Sequence, residues 1–197
     1  MTAEIDIQHD AFSALQSFFI IGSTEQYSAA RQGETIYFNN PIFPGEKPMA
    51  DKMKINDQVT VGPQPSEEEI NQLSQQGFKS VVNFRTEDED DQPLSPTDER
   101  EKVKSAEMEY LHIPVSMKAM GPELVDEFRE KYPQLPKPVF AHCKSGKRAG
   151  AMVMMHVAVE EGMGGEETLR KAEEMGFECE QEELRQFVKN YVDQHAQ

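Results

Sequence analysis

The sequence predicts an α/β domain of three layers, in which a mainly parallel sheet carries helices on both faces. Three observations lead there. From about Lys54 onward, short β-branched and apolar runs alternate with helical stretches, the pattern of a sheet built by crossovers. Capping and breaking residues punctuate the alternation at each step. One helical stretch, Arg148–Glu161, is apolar all round, and such a helix has to lie beneath other elements.

Taken in order, Val59–Gly62 is a short strand stopped by Pro63 and Pro65. Ser66 then caps a helix, with Glu69 placed to close a capping box. That helix puts Ile70 and Leu73 on one face and stops at Gly77. Lys79–Phe84 is a buried strand, Arg85–Pro96 an acidic loop, and Thr97–Met108 a second helix. Tyr110–Val115 is a strand, and Pro122–Tyr132 a helix with Leu124, Val125 and Phe128 at its apolar positions. Val139–Cys143 is a further strand. Beyond the apolar helix, two polar helices cover about Glu166–Met175 and Glu180–Asp193, parted by Gly176. Residues 1–53 read differently. A short helix over Ala11–Phe19 gives way to Pro- and Gly-punctuated sequence, an N-terminal arm or small subdomain of unknown role. The catalytic-type domain is expected over 54–197.

Composition limits what the chain can do. Its 197 residues carry 20 basic and 36 acidic side chains, a net charge of −16. That balance argues against nucleic acid or an anionic membrane as partner. A mean hydropathy of −0.68, with no long apolar run, gives no membrane span. The acidic N-terminus has neither a basic nor an apolar leader region, and two cysteines make no disulfide scaffold. A reducing cytoplasm is therefore the expected location. Charge is also unevenly placed. Residues 85–101 hold eight acids against two bases, net −6, whereas 142–148 hold Lys144, Lys147 and Arg148 and no acid.

That basic knot begins where the last strand ends, and in a parallel sheet ligands bind beyond the carboxyl ends of the strands. Val139-Phe140-Ala141-His142-Cys143-Lys144-Ser145-Gly146-Lys147-Arg148 reads as a strand, a terminal thiol, a short loop with a glycine, and a helix start. Loop and helix N–H groups form a concave cradle for an anion. Such surroundings can lower a cysteine from about 8.5 to roughly 3.5–7.5, making a thiolate nucleophile. Arg148 can grip two oxygens of a phosphate-like group. Gly146 lets the backbone come close, and His142 could brace the loop. Cys179 sits in an acidic setting and reads as an inert thiol. Arg85 is expected to pair with the acidic loop. Glu87–Asp91 reads as solvated, though able to lie over the site. His9, His112 and His156 lack partners at metal-ligand spacing, and Met152, Met154 and Met155 fill core. No cofactor and no metal are implied.

Cys-x-x-Gly-x-Arg after a strand resembles the thiolate phosphate-binding loops of cysteine-dependent phosphatases and the related loops of rhodanese-type sulfurtransferases. Three further blocks narrow this. Together with His142–Arg148, the runs Val61–Ser66, Gly77–Arg85 and Tyr110–Val115 resemble the beta-lactamase-hydrolase-like phosphatase family, over about residues 55–178. The resemblance implies a dual-specificity-phosphatase-like fold. It also implies Cys143 as the nucleophile of a thiophosphate intermediate, Arg148 as the phosphate clamp, and backbone amides of Lys144–Arg148 around the remaining oxygens. The expected partner is a phosphorylated small molecule or a phosphoprotein; nothing sets an oligomeric state.

The chain departs from the tyrosine-phosphatase pattern in three ways. Four residues, not five, separate Cys143 from Arg148, a spacing shared with rhodaneses. Ala149 stands where a Ser or Thr often assists release of the thiolate, with Ser145 as a substitute. The stretch Ser116–Met120, where a dual-specificity general acid belongs, contains no carboxylate. Glu123, Asp126 and Glu127 follow it, and Asp126 is taken as the candidate acid. A missing acid slows such chemistry roughly 10²–10⁴-fold. The alternatives are a sulfurtransferase carrying a persulfide on Cys143 and a catalytically weak anion-binding module.

Overall fold

A five-stranded sheet of order β1-β2-β5-β3-β4 organises the described residues, which in this computed structural model are 52–116, 119–176 and 182–196. The strands are β1 (Met53–Lys54), β2 (Val59–Pro63), β3 (Ser80–Asn83), β4 (Glu109–His112) and β5 (Val139–Cys143). β2, β5, β3 and β4 run parallel, and only β1 is antiparallel, pairing Met53 with Val61. The helices are α1 (Glu67–Gln75), α2 (Pro96–Ser105), α3 (Pro122–Lys131), α4 (Lys147–Glu160), α5 (Gly165–Glu174) and α6 (Glu182–His195). A 3-10 turn, Tyr132–Gln134, follows α3. Residues 1–51 of the expected arm, with His9, and also Cys179 and the pair Met117–Lys118 lie outside the described residues. Among the described residues no helix is long and apolar enough to cross a membrane.

The two-residue period of the strands builds a core on each face. Val81 and Phe140 point to one side and pack with Ile70 and Leu73 of α1, Val103 of α2 and Met108. Val82, Val139 and Ala141 point to the other and pack with Val125 and Phe128 of α3, Met152 and Met155 of α4, and Val188 and Val192 of α6. This is the three-layer α/β fold expected from the alternation. α4 is buried from Arg148 to Ala158, which accounts for its lack of a polar face.

Local signals set the elements that lead to the site. The Ser66 side chain accepts from Glu69 N at 3.3 Å while the Glu69 carboxylate accepts from Ser66 N at 2.7 Å, closing the capping box. Ser66→Ala is expected to lower stability by about 1 kcal/mol, a Tm fall of roughly 2–4 °C by calorimetry, with no change at the site. Ser95 caps α2 by accepting from Asp98 N at 3.1 Å, with Pro96 at the first helical position.

Two elements differ from the expectation. β1 falls at Met53–Lys54, across the boundary expected between the arm and the domain. β4 ends at His112, because Pro114 has no N–H to continue the ladder; Ile113 and Val115 still donate to Asn83 O and Phe84 O at 3.0 and 3.1 Å. β2 and β5 finish level, with Pro63 opposite Cys143 and Gly62 opposite His142, so the thiol emerges at the carboxyl edge of the sheet between two neighbouring strands.

Candidate active site

Cys143 is the last residue of β5, and α4 begins four residues later at Lys147. The reversal is made by Gly146, which caps α4 at φ 90°, a left-handed conformation open to glycine. A side chain there would also meet the Gly62 carbonyl carbon at 3.3 Å, so the loop rests directly on the backbone of β2. Gly150 N donates to Gly146 O at 2.7 Å. Among the described residues, no acceptor engages the backbone N–H groups of Lys144, Ser145, Gly146 or Arg148. Amides at the start of a buried helix, next to a thiol, are groups that could cradle an anion. Cys143 itself is only 1% exposed.

Arg148 lies in the first turn of α4 and is buried. Its Nη1 donates to Val115 O at 2.7 Å and to Glu89 Oε1 at 2.5 Å, and its Nη2 donates to Glu89 Oε2 at 2.7 Å. The Glu89 hydrogen bond, against opposing desolvation, raises the arginine's pKa, and the Cys143 side chain beside the guanidinium adds to that. Glu89 therefore grips the end of the fork. What remains is the edge formed by Nε–H and the second proton of Nη2, and the guanidinium also shares a hydrogen bond with the Cys143 side chain. A phosphate fits such an edge with two oxygens.

Glu89, which the sequence reading does not single out, is the carboxylate that contacts Arg148. It belongs to the acidic run read as solvated, yet its side chain is 20% exposed. Its pKa is lowered to about 2, chiefly by the Arg148 hydrogen bond, against desolvation and with help from the Thr86 amide and Arg85. The run is fixed by Arg85, 1% exposed at the end of β3. Arg85 Nε donates to Glu89 Oε2 at 3.1 Å, Nη2 to Asp90 O at 2.7 Å, and Nη1 to Gln64 Oε1 at 2.7 Å. The expectation that Arg85 pairs with the acidic loop is met. Lys144 reaches across to Asp91 at 3.1 Å. The acidic run thus lies against the loop 143–148, where the sequence allowed it to lie.

The expected carboxylates after Pro122 are placed elsewhere. Asp126, the candidate general acid, accepts from the Tyr191 hydroxyl at 2.5 Å and has His195 Nε2 at 3.9 Å, so it ties α3 to α6. Glu127 pairs with Lys131 at 2.6 Å, and Glu123 is exposed. His142, fully buried, has its Nε2 2.8 Å from Glu99 Oε1. Lys144, Ser145 and Lys147 are exposed on the rim.

A sheet, a thiol and a helix start combined in this way define a class, the phosphatase domain of the tyrosine and dual-specificity type. The chain belongs to the family described as DSP-PTPase phosphatase fused to NAD+ kinase, whose model matches residues 44–194. A beta-lactamase hydrolase-like protein of Agrobacterium fabrum is 34% identical over 108 residues, which are 55% of this chain and 25% of that one. This chain thus spans about a quarter of that relative's length. Among solved structures, a candidate phosphatase of Neisseria meningitidis is 24% identical with a TM-score of 0.61, covering 71% of this chain and 96% of that one. Tk-PTP in its active form is 21% identical with a TM-score of 0.59, covering 73% and 96%. Pseudomonas aeruginosa TpbA in complex with pTyr is 19% identical with a TM-score of 0.55, covering 72% and 82%. At these identities the likeness is one of fold.

Proposed function

We propose that the chain hydrolyses phosphomonoesters through a thiophosphate intermediate on Cys143. The observation that carries this reading is the buried Arg148 guanidinium, held by Glu89 and hydrogen-bonded to the Cys143 side chain, at the start of the helix that follows the thiol. The phosphoryl group would be held by the Nε–Nη2 edge of that guanidinium and by the amides of Lys144–Arg148. Its equatorial oxygens gain donors in place before the reaction begins, which favours the charge of the transition state. Cys143 Sγ attacks phosphorus as the P–O bond to the leaving group breaks. Water then cleaves the S–P bond, releasing phosphate and restoring the thiolate. The substrate class is a phosphorylated small molecule or a phosphoprotein.

With Asp126 held by Tyr191 and no carboxylate in 116–120, the leaving oxygen takes its proton from solvent. Aryl phosphates, whose leaving groups need little protonation, are then the favoured substrates. The test is release of the phenol from an aryl phosphate, inhibited by vanadate. Release no faster than from the Cys143→Ser variant would overturn the reading, and a persulfide on Cys143 after thiosulfate, without phosphate release, would replace it by sulfur transfer.

Glu89 supports the same reading as an orienting group. By occupying the end of the fork, it turns the remaining edge of Arg148 toward the thiol. Glu89→Gln is expected to lower kcat/KM about tenfold or more. A rise in kcat/KM would show instead that the carboxylate competes with substrate. The pair also shapes stability. A carboxyl held near 2 rather than its ordinary 4.5 contributes stability that is fully present above about pH 4.5 and lost as the pH falls toward 2. Glu89→Gln removes that contribution, so its acid unfolding curve is expected to be flatter across this window.

A further inference from the structure

We propose that Lys137 and His156 form a second binding site, at the end of the sheet opposite Cys143, for a small monocarboxylate with an apolar body. A hollow of about 630 Å³ lies there, within the size range of small-molecule sites. β5 begins just after Lys137 and ends at Cys143, while α4 begins beside the thiol loop and ends at Glu160, on the wall of the hollow. The hollow and the thiol thus lie at opposite ends of the same strand and the same helix. The site does not depend on the reading of Cys143 as a nucleophile.

Charge decides what the hollow takes. Asp57, Glu160 and Glu161 line it, and each is paired with a base outside the lining: Lys54 at 2.7 Å, Arg129 at 3.6 Å and Lys171 at 3.1 Å, respectively. Lys137 also lines it, half-buried, and no carboxylate among the described residues pairs with it. Its Nζ donates to Tyr132 O at 2.6 Å and lies 3.1 Å from the centre of the Tyr132 ring. An ammonium withdrawn from water ordinarily keeps a counter-ion. Here desolvation without one lowers the lysine's pKa to about 8. His156 adjoins the same ring, with 4.5 Å between centroids, and is 6% exposed. Its Nδ1 is buried without a hydrogen-bond partner, and burial lowers its pKa to about 4, so the ring is neutral. A neutral imidazole with its proton on Nδ1 offers one donor there. One ammonium and one neutral donor match the two oxygens of a carboxylate, whereas a phosphate dianion asks for more positive charge. Tyr132, Pro133, Leu135 and Val157 give the apolar wall for the rest of the molecule.

The experiment is a ligand-observed NMR titration of the full chain with benzoate and with isovalerate, in the presence of inorganic phosphate to occupy the Cys143 loop. Benzylamine serves as the cationic comparison. A carboxylate is expected to bind and benzylamine is not. Lys137→Met is expected to weaken that binding about tenfold or more, since it removes the charged donor. His156→Phe keeps an aromatic ring without the nitrogens and is expected to weaken it about fivefold. Cys143→Ser is expected to bind the carboxylate as wild type does. No binding of either carboxylate, displacement by phosphate, or tighter binding of benzylamine would each overturn the proposal. Unchanged affinity in either variant, once circular dichroism shows it folded, would overturn it as well. Lys137 is partly exposed, so Lys137→Met is expected to fold, and it decides alone should His156→Phe not fold. Binding needs no turnover, so an inactive wild type would sink the hydrolytic reading and leave this test legible.

Discussion

Cys143→Ser is expected to reduce hydrolysis of an aryl phosphate to the background of the assay. Removing a covalent nucleophile from an assembled site removes rate on the order of 10⁴–10⁶-fold, because the groups around it act as a unit. The serine hydroxyl is nearly isosteric with the thiol, and Cys143 belongs to the same buried core as Val115, Ala149 and Met152, so the fold is expected to survive. A hydroxyl is not ionised by a cradle that ionises a thiol. The anion site itself remains, since the loop amides and Arg148 are unchanged. The variant should therefore still bind phosphate or vanadate, now without forming a covalent adduct. Calorimetric titration and intact mass measurement check the two halves separately. Turnover in Cys143→Ser comparable to wild type would remove the nucleophile from the mechanism altogether.

Arg148→Lys is expected to lower kcat about 10²–10³-fold with a smaller effect on KM, the signature of donors used in the transition state. A lysine keeps the positive charge but is a point donor that cannot present two parallel N–H groups. It would also have to satisfy Val115 O and both oxygens of Glu89, which now take three hydrogen bonds from the guanidinium. Steady-state kinetics on one aryl phosphate decide the matter. A wild-type-like kcat with a raised KM would reduce Arg148 to a binding residue.

Residues whose role is set by near neighbours in sequence could be read in advance. The capping box of Ser66 and Glu69, the strand Val139–Cys143 and the all-apolar helix that follows were each announced by local pattern, and their sum fixed the layered sheet. Groups defined by distant partners could not. Glu89 is one of five acids in a row, and its hydrogen bonds to Arg148, 59 residues away, set it apart from Glu87 or Asp88. Glu99 looks like an ordinary acid in the first turn of a helix, a position favourable for a carboxylate in any case. It is buried against Asn83, Tyr110 and His142, which lie on three strands. Asp126 was chosen for its place after β4, but Tyr191 of the last helix determines where it sits. β1 spans two residues, too few for any periodicity to reveal.

The acidic run pinned by Arg85 has an effect on traffic into the cleft. Asp91 touches the rim at Lys144, and Glu87, Asp88 and Asp90 are exposed beside it, so an incoming dianion approaches through a repulsive field. Mobile ions shorten the reach of that field to about 10 Å at 0.1 M and about 3 Å at 1 M. Most phosphatases that gather substrate by attraction slow down in brine; here kcat/KM for an anionic ester should instead climb with added potassium chloride.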